Sequence, residues 1–273
     1  MEVLYEDNHI IVVSKSSSEI VQGDKTGDVP LSETIGAYLK DKYNKPGNVF
    51  VGVVHRLDRP VSGVCLFAKT SKALSRLNEM FRSHELVQKR YLAIVKNRPV
   101  RPEGHLVHWM VRNEKQNKSY AYDREVPGSK KASLSYRLIA SSDNYHLLEI
   151  VLETGRHHQI RCQLAKMGCP IKGDLKYGAE RSNRDGSICL HAYRLTLEHP
   201  VSHVQIDVKA GLETISNSSK DLIKFVESYR ELAGVAKPIK KAVMVDELVN
   251  RVMGLTSQKL ADKGVKCSYT AAA

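Results

Sequence analysis

The chain has 273 residues, 42% of them apolar, which is enough for one large domain or two small ones with a sizeable core. The formal net charge is +12, from 42 Lys and Arg against 30 Asp and Glu, so a polyanionic partner, usually a nucleic acid, is the first expectation. No apolar run approaches the roughly 18 residues of a membrane span, and the start MEVLYEDNHIIVV lacks the basic-then-apolar order of a signal peptide. We therefore expect a cytoplasmic protein that does not bind membranes.

The cysteines and histidines do not form a metal-binding pattern. The five cysteines are odd in number and form no C-x-x-C pair, which is typical of reduced, buried thiols. His105 and His108 form an H-x-x-H pair, but no carboxylate or thiol cluster nearby completes a zinc set. We expect no metal and, since nothing in the sequence demands a dimer, a monomer.

The hydrophobic pattern predicts many short strands interspersed with helices. In the first part of the chain, the pattern predicts two strands within residues 1–15, a helix over 31–43, strands over 49–54 and 64–68, and a helix from Thr70 or Ser71. A strand over 89–96 and a three-stranded antiparallel meander between 106 and 153 follow. The last predicted elements are a helix over 156–167, strands over 188–197 and 204–208, and a helix over 221–232. The order shows no steady βαβ alternation, which favours the α+β class. Past residue 234 the composition changes to a basic, proline-centred linker, so we predict one domain over 1–233 and a basic, partly helical tail over 234–273.

The loop HRLDRPVSG places one acid, Asp58, between Arg56 and Arg59. Asp58 could form a surface ion pair worth about 0–1 kcal/mol and have no function. It could also be a reactive carboxylate that the neighbouring cations keep ionised. The second interpretation is favoured because the loop is short, lies between two apolar runs, and is restricted in shape by Pro60 and by Ser62-Gly63.

Two further segments could carry chemistry. In ETGRHHQIR, Thr154 and Gly155 can begin a helix whose first turn offers free N–H groups and basic side chains to a phosphate. Arg161 lies beside Ile160 on the helix wheel, so its guanidinium could reach inward, although a solvated basic face fits the residues as well. In KRYLAIVK, Tyr91 is either a core tyrosine or a ring on which a base stacks, a contact worth about 1–3 kcal/mol.

The motifs HRLDRPVSG, KRYLA, TGRHHQIRCQLAKMGCPIKGDLKYG and HAYRLTLEHP, in this order and spacing, resemble the RluA-type family of RNA pseudouridine synthases. The resemblance implies a mixed, largely antiparallel central sheet flanked by helices, with the active-site cleft across the sheet. It implies an isomerase that detaches uracil from its ribose, rotates it and rejoins it through carbon 5. It also implies that Asp58 is the catalytic carboxylate, that Tyr91 lies against the base, and that Arg161 pairs with Asp58.

The target base must leave its stack to reach Asp58, so we expect base flipping, and no cofactor, because nothing is oxidised and no group is imported. The residues expected to bind the RNA are His55, Arg56, Arg59, Arg156, His158, Gln159 and Lys172. The sequence departs from the family pattern at Val61 and His157, where threonine is common, and at Ser16, which replaces the proline of N-K-P-x-G. We expect no S4-like module ahead of the catalytic domain, because the chain begins with the predicted first strands.

The sequence leaves the substrate open between ribosomal and transfer RNA. A non-catalytic RNA-binding or ribosome-assembly factor on the same scaffold is one alternative, although a pure binder has no need of Asp58, Tyr91 and Arg161 together. A hydrolase that removes the base with the same carboxylate is another alternative.

Overall fold

The computed structural model of the chain describes residues 1–83 and 86–211. The strands are β1 (Glu2–Glu6), β2 (Ile10–Lys15), β3 (Gly52–Val53), β4 (Ser62–Ala68), β5 (Val87–Val95), β6 (Glu103–Asn113), β7 (Lys118–Tyr122), β8 (Lys130–Ser141), β9 (His146–Leu152), β10 (Leu190–Glu198) and β11 (Gln205–Lys209). The helices are α1 (Leu31–Lys42), α2 (Ser71–Ser83) and α3 (Gln159–Lys166), followed by a short 3₁₀ turn, Leu175–Tyr177. The predicted helix over 221–232 and the tail over 234–273 lie outside the described residues.

Within the described residues, the eleven strands form one sheet in the order β1-β2-β4-β10-β5-β9-β8-β6-β7, with β3 paired to β4 and β11 to β10. The β4–β10 pair is parallel and the other pairs are antiparallel. A mixed, largely antiparallel sheet with helices packed on it confirms the predicted α+β class. The sheet centre is the most buried part, since every residue of β4 is buried.

Helices cover both faces of the sheet at its β1–β2–β4 end. Side chains of a strand alternate between the two faces, and in β2 this places Ile11 and Val13 against α1 and Ile10 and Val12 with α2. Each helix buries an apolar stripe with helical spacing. The buried residues of these stripes are Leu31, Ile35 and Leu39 in α1 and Ala73, Leu77 and Met80 in α2.

Two strand predictions were wrong. The run 49–54 forms only the two-residue strand β3, because β10 occupies the first part of the same β4 edge. The strand β7 lies where the sequence predicts only a polar connection after β6. Its residues are polar and partly exposed because β7 lies at the edge of the sheet, paired with β6 alone.

Gly63 allows β4 and β10 to approach each other directly after the HRLD loop. Its φ of +120° is strained for any residue with a side chain, and an added Cβ would lie 2.2 Å from the carbonyl oxygen of Ala192. Beside it, Ser62 Oγ lies 2.8 Å from His191 Nδ1 of β10. The Ser-Gly pair of the motif therefore fixes the end of the loop against the centre of the sheet.

We predict that Gly63→Ala lowers the free energy of unfolding by about 3 kcal/mol or more, because backbone strain and overpacking add at this position. Urea unfolding followed by circular dichroism measures the change. Gly168→Ala is the matched control, since Gly168 also has a positive φ of +82° but open space where the Cβ would lie; we expect a cost of about 1 kcal/mol there. Equal costs at the two positions would contradict the close approach.

Candidate active site

The buried ammonium of Lys15, at the end of β2, donates hydrogen bonds to the backbone of the loop that carries Asp58. Lys15 is 0% exposed, and its Nζ donates to the carbonyl oxygens of Ser16 at 2.9 Å, Arg59 at 3.1 Å and Val61 at 2.7 Å. The N–H of Val61 donates to the carbonyl of Asp58 at 3.0 Å and closes a tight turn. Burial lowers the pKa of Lys15 to about 8, so the lysine remains mostly charged at neutral pH. Sequence reasoning missed this role of Lys15.

The guanidinium of Arg161 lies between two carboxylates. Its Nη1 donates to Asp58 Oδ2 at 3.0 Å, and its Nε and Nη2 form a bidentate pair with Asp174 at 2.7 and 2.8 Å. The predicted pairing of Asp58 with Arg161 is thus present in the structure. Burial opposes the charged form of Arg161, but the hydrogen bonds and charge of Asp174, followed by those of Asp58, raise the pKa of the guanidinium above its usual value.

Asp174 is a further site residue that sequence reasoning missed. It is 1% exposed and lies in the segment KGDLKYG. The sequence analysis selected only Lys172 of this segment, as a residue that binds RNA. Because Asp174 occupies the Nε and Nη2 edge of Arg161, the remaining nitrogen, Nη1, donates to Asp58. Within the described residues, Asp58 Oδ2 makes the polar contacts of the carboxylate and Oδ1 accepts no hydrogen bond. The side chain of Asp58 is 28% exposed, so Oδ1 is available to a ligand.

His158 contacts Asp58 from the same side as Arg161. Its Nε2 lies 3.5 Å from Asp58 Oδ2, and its Nδ1 lies 3.1 Å from the hydroxyl of Tyr177, which itself accepts a hydrogen bond from the N–H of Ser119 in β7 at 2.8 Å. Burial, with a further contribution from Arg161, lowers the pKa of His158 to about 2. The ring is therefore neutral, with Nδ1 next to the phenol of Tyr177 and Nε2 next to the carboxylate of Asp58.

The loop before α3 runs over residues 154–158 and is longer than the sequence predicts. His158 has a left-handed backbone with φ of +52°, so α3 starts at Gln159 and not at Arg156. The side-chain amide of Gln159 stabilises this loop: its Oε1 accepts from Thr154 Oγ1 at 2.7 Å and from Arg156 N at 2.9 Å, and its Nε2 donates to Ser133 O at 3.0 Å. The structure thus occupies the amide of Gln159 with internal hydrogen bonds, in contrast to the predicted contact with RNA.

A cleft of about 600 Å³ crosses the centre of the sheet, as the resemblance implies, and Asp58, Tyr91 and Arg161 all line it. Its apolar wall includes Leu152 of β9 and Leu190 of β10. Tyr91 is buried. Burial raises the pKa of its phenol, and the charges of Cys65 and Asp58 raise it further. Tyr91 therefore presents a neutral ring to the cleft.

The predicted RNA-binding residues fall into two groups. The structure brings His55, Arg56, Arg156, His158 and Gln159 to the cleft. Arg59 does not line the cleft, because its guanidinium pairs with Asp28 at 2.6 Å and Asp24 at 3.5 Å. Lys172 does not line it either, and its Nζ lies 4.8 Å from the ring centroid of Tyr145. Charge alone could not separate the two groups. Three cations that the sequence analysis did not select, Arg82, Lys89 and Arg112, also line the cleft.

His55 lines the cleft as a neutral group. Its Nε2 accepts the N–H of Leu66 at 3.1 Å, and its ring stacks on Phe81 with the centroids 5.1 Å apart. Burial, with the charge of Lys89, lowers the pKa of His55 to about 3. The ring thus supports the backbone of β4, and the contact of His55 with RNA stays a prediction.

Within residues 1–83 and 86–211, no group of three His, Cys, Asp or Glu side chains could hold a metal ion. Over the same residues, no helix is long and apolar enough to cross a membrane. Cys65, Cys162, Cys169 and Cys189 are buried free thiols.

We predict that the protein loses stability as the pH falls below about 6.5, the pKa of histidine in an unfolded chain. Burial is the main cause that lowers the pKa of His158 to about 2 and that of His191 to about 4. Between each of these values and about 6.5, the unfolded chain therefore binds more protons than the folded one. Each histidine steepens the dependence by up to about 1.4 kcal/mol per pH unit. Urea unfolding at pH 7, 6 and 5 measures the slope.

The test of this pH dependence compares two variants. His191→Asn is expected to make the slope shallower by about one proton. His203→Gln, which removes an exposed histidine, is the second variant and controls for the loss of a histidine at the surface. A His191→Asn protein with the wild-type slope would show that His191 does not take part in the acid destabilisation.

The comparisons with known proteins agree with this geometry. The family model for RNA pseudouridylate synthase matches residues 9–166. The chain is 31% identical over 222 residues to the ribosomal large subunit pseudouridine synthase D of Zymomonas mobilis, covering 78% of this chain and 69% of the relative. It is also 31% identical over 234 residues to the tRNA pseudouridine synthase C of Salmonella typhi, covering 78% and 86%.

A solved structure shows the same fold. The human RNA pseudouridylate synthase domain containing 4 superposes with a TM-score of 0.65 at 21% identity, over 84% of this chain and 93% of that one. The family match covers more than half of the chain, and the motifs that carry the resemblance surround one cleft. The chain therefore belongs to the RNA pseudouridylate synthase family, whose RluA-type members its motifs resemble.

Proposed function

We propose that this RNA pseudouridine synthase isomerises a specific uridine of ribosomal or transfer RNA, with Asp58 as the catalytic carboxylate. The observation that carries the proposal is the arrangement of Asp58 beside Arg161 in a cleft that Tyr91 also lines. The named relatives include enzymes for both RNA classes, so the relatives support RNA as the substrate and leave the class open.

The chemistry explains why a carboxylate is needed at this position. Cleavage of the bond between N1 of uracil and C1′ leaves the sugar electron-deficient, and an ionised carboxylate beside C1′ or C2′ can act as nucleophile, base or electrostatic partner. Arg161 donates to Asp58 Oδ2 and so orients the carboxylate, while Oδ1 accepts no hydrogen bond within the described residues. The arrangement thus supplies an oriented negative charge with one oxygen available to the sugar.

The second half of the reaction rejoins the uracil through C5. The new bond forms between C5 and C1′, the proton of C5 leaves, and N1 gains a proton, so the reaction is an isomerisation without a co-reactant. Tyr91 has a raised pKa because it is buried, so its phenolate is disfavoured. We propose that Tyr91 stacks on the base and that a water molecule accepts the C5 proton.

The charge of the cleft supports an RNA substrate. The basic side chains that line it are Arg56, Arg82, Lys89, Arg112, Arg156 and Arg161, and Asp58 is the one acid among the described lining residues. Such a surface attracts the phosphates that flank a flipped nucleotide, and its affinity should fall steeply with salt. A binding factor would need the same charge, so charge alone does not establish catalysis.

The proposal predicts that tritium is released from RNA labelled at uridine C5, and that Asp58→Asn abolishes the release. The substitution keeps the size of the side chain and removes its charge, so folding should be retained. Ribosomal and transfer RNA transcripts are assayed separately, and the pool that releases tritium identifies the substrate class. Free uracil in the products would instead indicate a hydrolase, and an active Asp58→Asn protein would exclude Asp58 as the catalytic carboxylate.

We predict that Asp174→Asn lowers kcat at least tenfold with a smaller change in KM, because Arg161 loses a charged partner and no longer holds Asp58 in place. It should also lower the free energy of unfolding by about 3 kcal/mol, since the guanidinium remains buried without its charged partner.

Asp207→Asn is the matched control for this prediction. Asp207 makes the same bidentate contact with Arg194, at 2.7 Å for both bonds, but on the surface. We expect a change of about 0–1 kcal/mol and unchanged kcat there. An Asp174→Asn enzyme with wild-type kcat would rule out the positioning role of Asp174.

A further inference from the structure

Lys89 is a buried cation without an anionic partner among the described residues. It lies on β5, two residues before Tyr91 and on the same strand face, and it is 7% exposed. Among the described residues its ammonium makes no hydrogen bond and no ion pair, and the one contact of its charge is with the ring of Phe81, 5.6 Å from the centroid. Burying an ammonium without a partner costs free energy, so a protein retains one where a ligand supplies the partner.

Lys89 is charged while it lies in the cleft. Burial lowers the pKa of Lys89 to about 8, so most molecules still carry the ammonium at neutral pH. The cleft already contains one carboxylate, but Asp58 is engaged by Arg161. The ammonium is therefore available to an anion that enters from outside.

The ammonium of Lys89 faces the loop 154–158. A Cβ at Gly155 would lie 3.7 Å from Lys89 Nζ, which shows that the ammonium reaches the backbone of this loop. The N–H groups of Gly155, His157 and His158 donate to no acceptor within the described part of the chain, and all three residues line the cleft. The loop leads into α3, an eight-residue helix whose N-terminus also favours negative charge.

We propose that Lys89 and the backbone N–H groups of the loop 154–158 form a phosphate subsite that holds the RNA backbone next to the uridine in the cleft. The proposal rests on the proposed function for the identity of the ligand as RNA. Residues two apart on a strand are separated by about 6.6 Å, which is comparable to the reach from a base to the phosphate of its own nucleotide. Lys89 would thus position the nucleotide whose base stacks on Tyr91.

The test is equilibrium binding of the full chain to fluorescently labelled ribosomal and transfer RNA transcripts over a range of salt concentrations. Lys89→Met is expected to raise Kd about tenfold and to reduce the slope of log K against log salt by about one, since one phosphate contact is lost. Lys89→Arg, which keeps the charge, is expected to keep the slope. Lys72→Met, at an exposed lysine of α2 that does not line the cleft, is the control and should change neither value.

Thermal unfolding separates binding from a structural role. Because Lys89→Met removes an unpaired buried charge, its unfolding midpoint should stay the same or rise. A reduced slope with such a midpoint supports the subsite. An unchanged slope overturns the proposal, and so does a reduced slope that comes with a lower midpoint, since Lys89 would then support the fold.

The binding test needs no turnover, so it is independent of the test of the proposed function. A wild-type protein that releases no tritium but has a Lys89-dependent slope would overturn the proposed reaction and retain the subsite. Tritium release that persists with unchanged KM in Lys89→Met would do the reverse. When both proposals are correct, Lys89→Met raises KM more than it lowers kcat.

Discussion

The geometry of the site depends on the buried guanidinium of Arg161. Removing a guanidinium from water is expensive, and Asp174 offsets the cost by a bidentate pair that uses the Nε and Nη2 edge of the group. Asp58 then binds Nη1 alone and remains partly exposed to the cleft. A lysine could not satisfy both carboxylates with the same fixed geometry, because its charge is a point on a flexible stem. One planar cation thus links the structural acid to the proposed catalytic one.

The loop that carries Asp58 is held at three points by distant parts of the chain. Lys15 binds its carbonyl groups from β2, Ser62 contacts His191 of β10, and Gly63 allows the backbones of β4 and β10 to meet. Each contact removes freedom from a short loop, so the carboxylate is positioned before any substrate binds. Such pre-organisation is what a reaction that develops charge at one carbon requires.

The cleft contains a buried charge that lowers the stability of the fold but suits the binding of a polyanion. Lys89, which has no anionic partner among the described residues, is a costly group in a folded protein, and it faces the space where a polyanion would bind. The cores on either side contain ordinary apolar side chains from β2, β4, β5 and β9. Those cores supply the stability that lets the site retain the charge of Lys89 without a partner among the described residues.

The sequence by itself determined the fold class, most of the strands and helices, and the placement of Asp58, Tyr91 and Arg161 in one site. The fold class and the elements follow from local periodicity, whereas the joint placement of these three residues, which lie far apart in the chain, follows from the resemblance of their motifs to the RluA-type family. Sequence reasoning missed β7, because a polar edge strand has no hydrophobic period, and it placed the start of α3 three residues too early. Only the tertiary structure showed that Asp174 holds Arg161 and that Lys15 holds the loop. It also showed that Arg59 pairs outside the cleft, while Lys89 lies inside it without a partner among the described residues. The physical reason is that the partner of a charged side chain is chosen by contacts between distant segments, which the local sequence pattern does not contain.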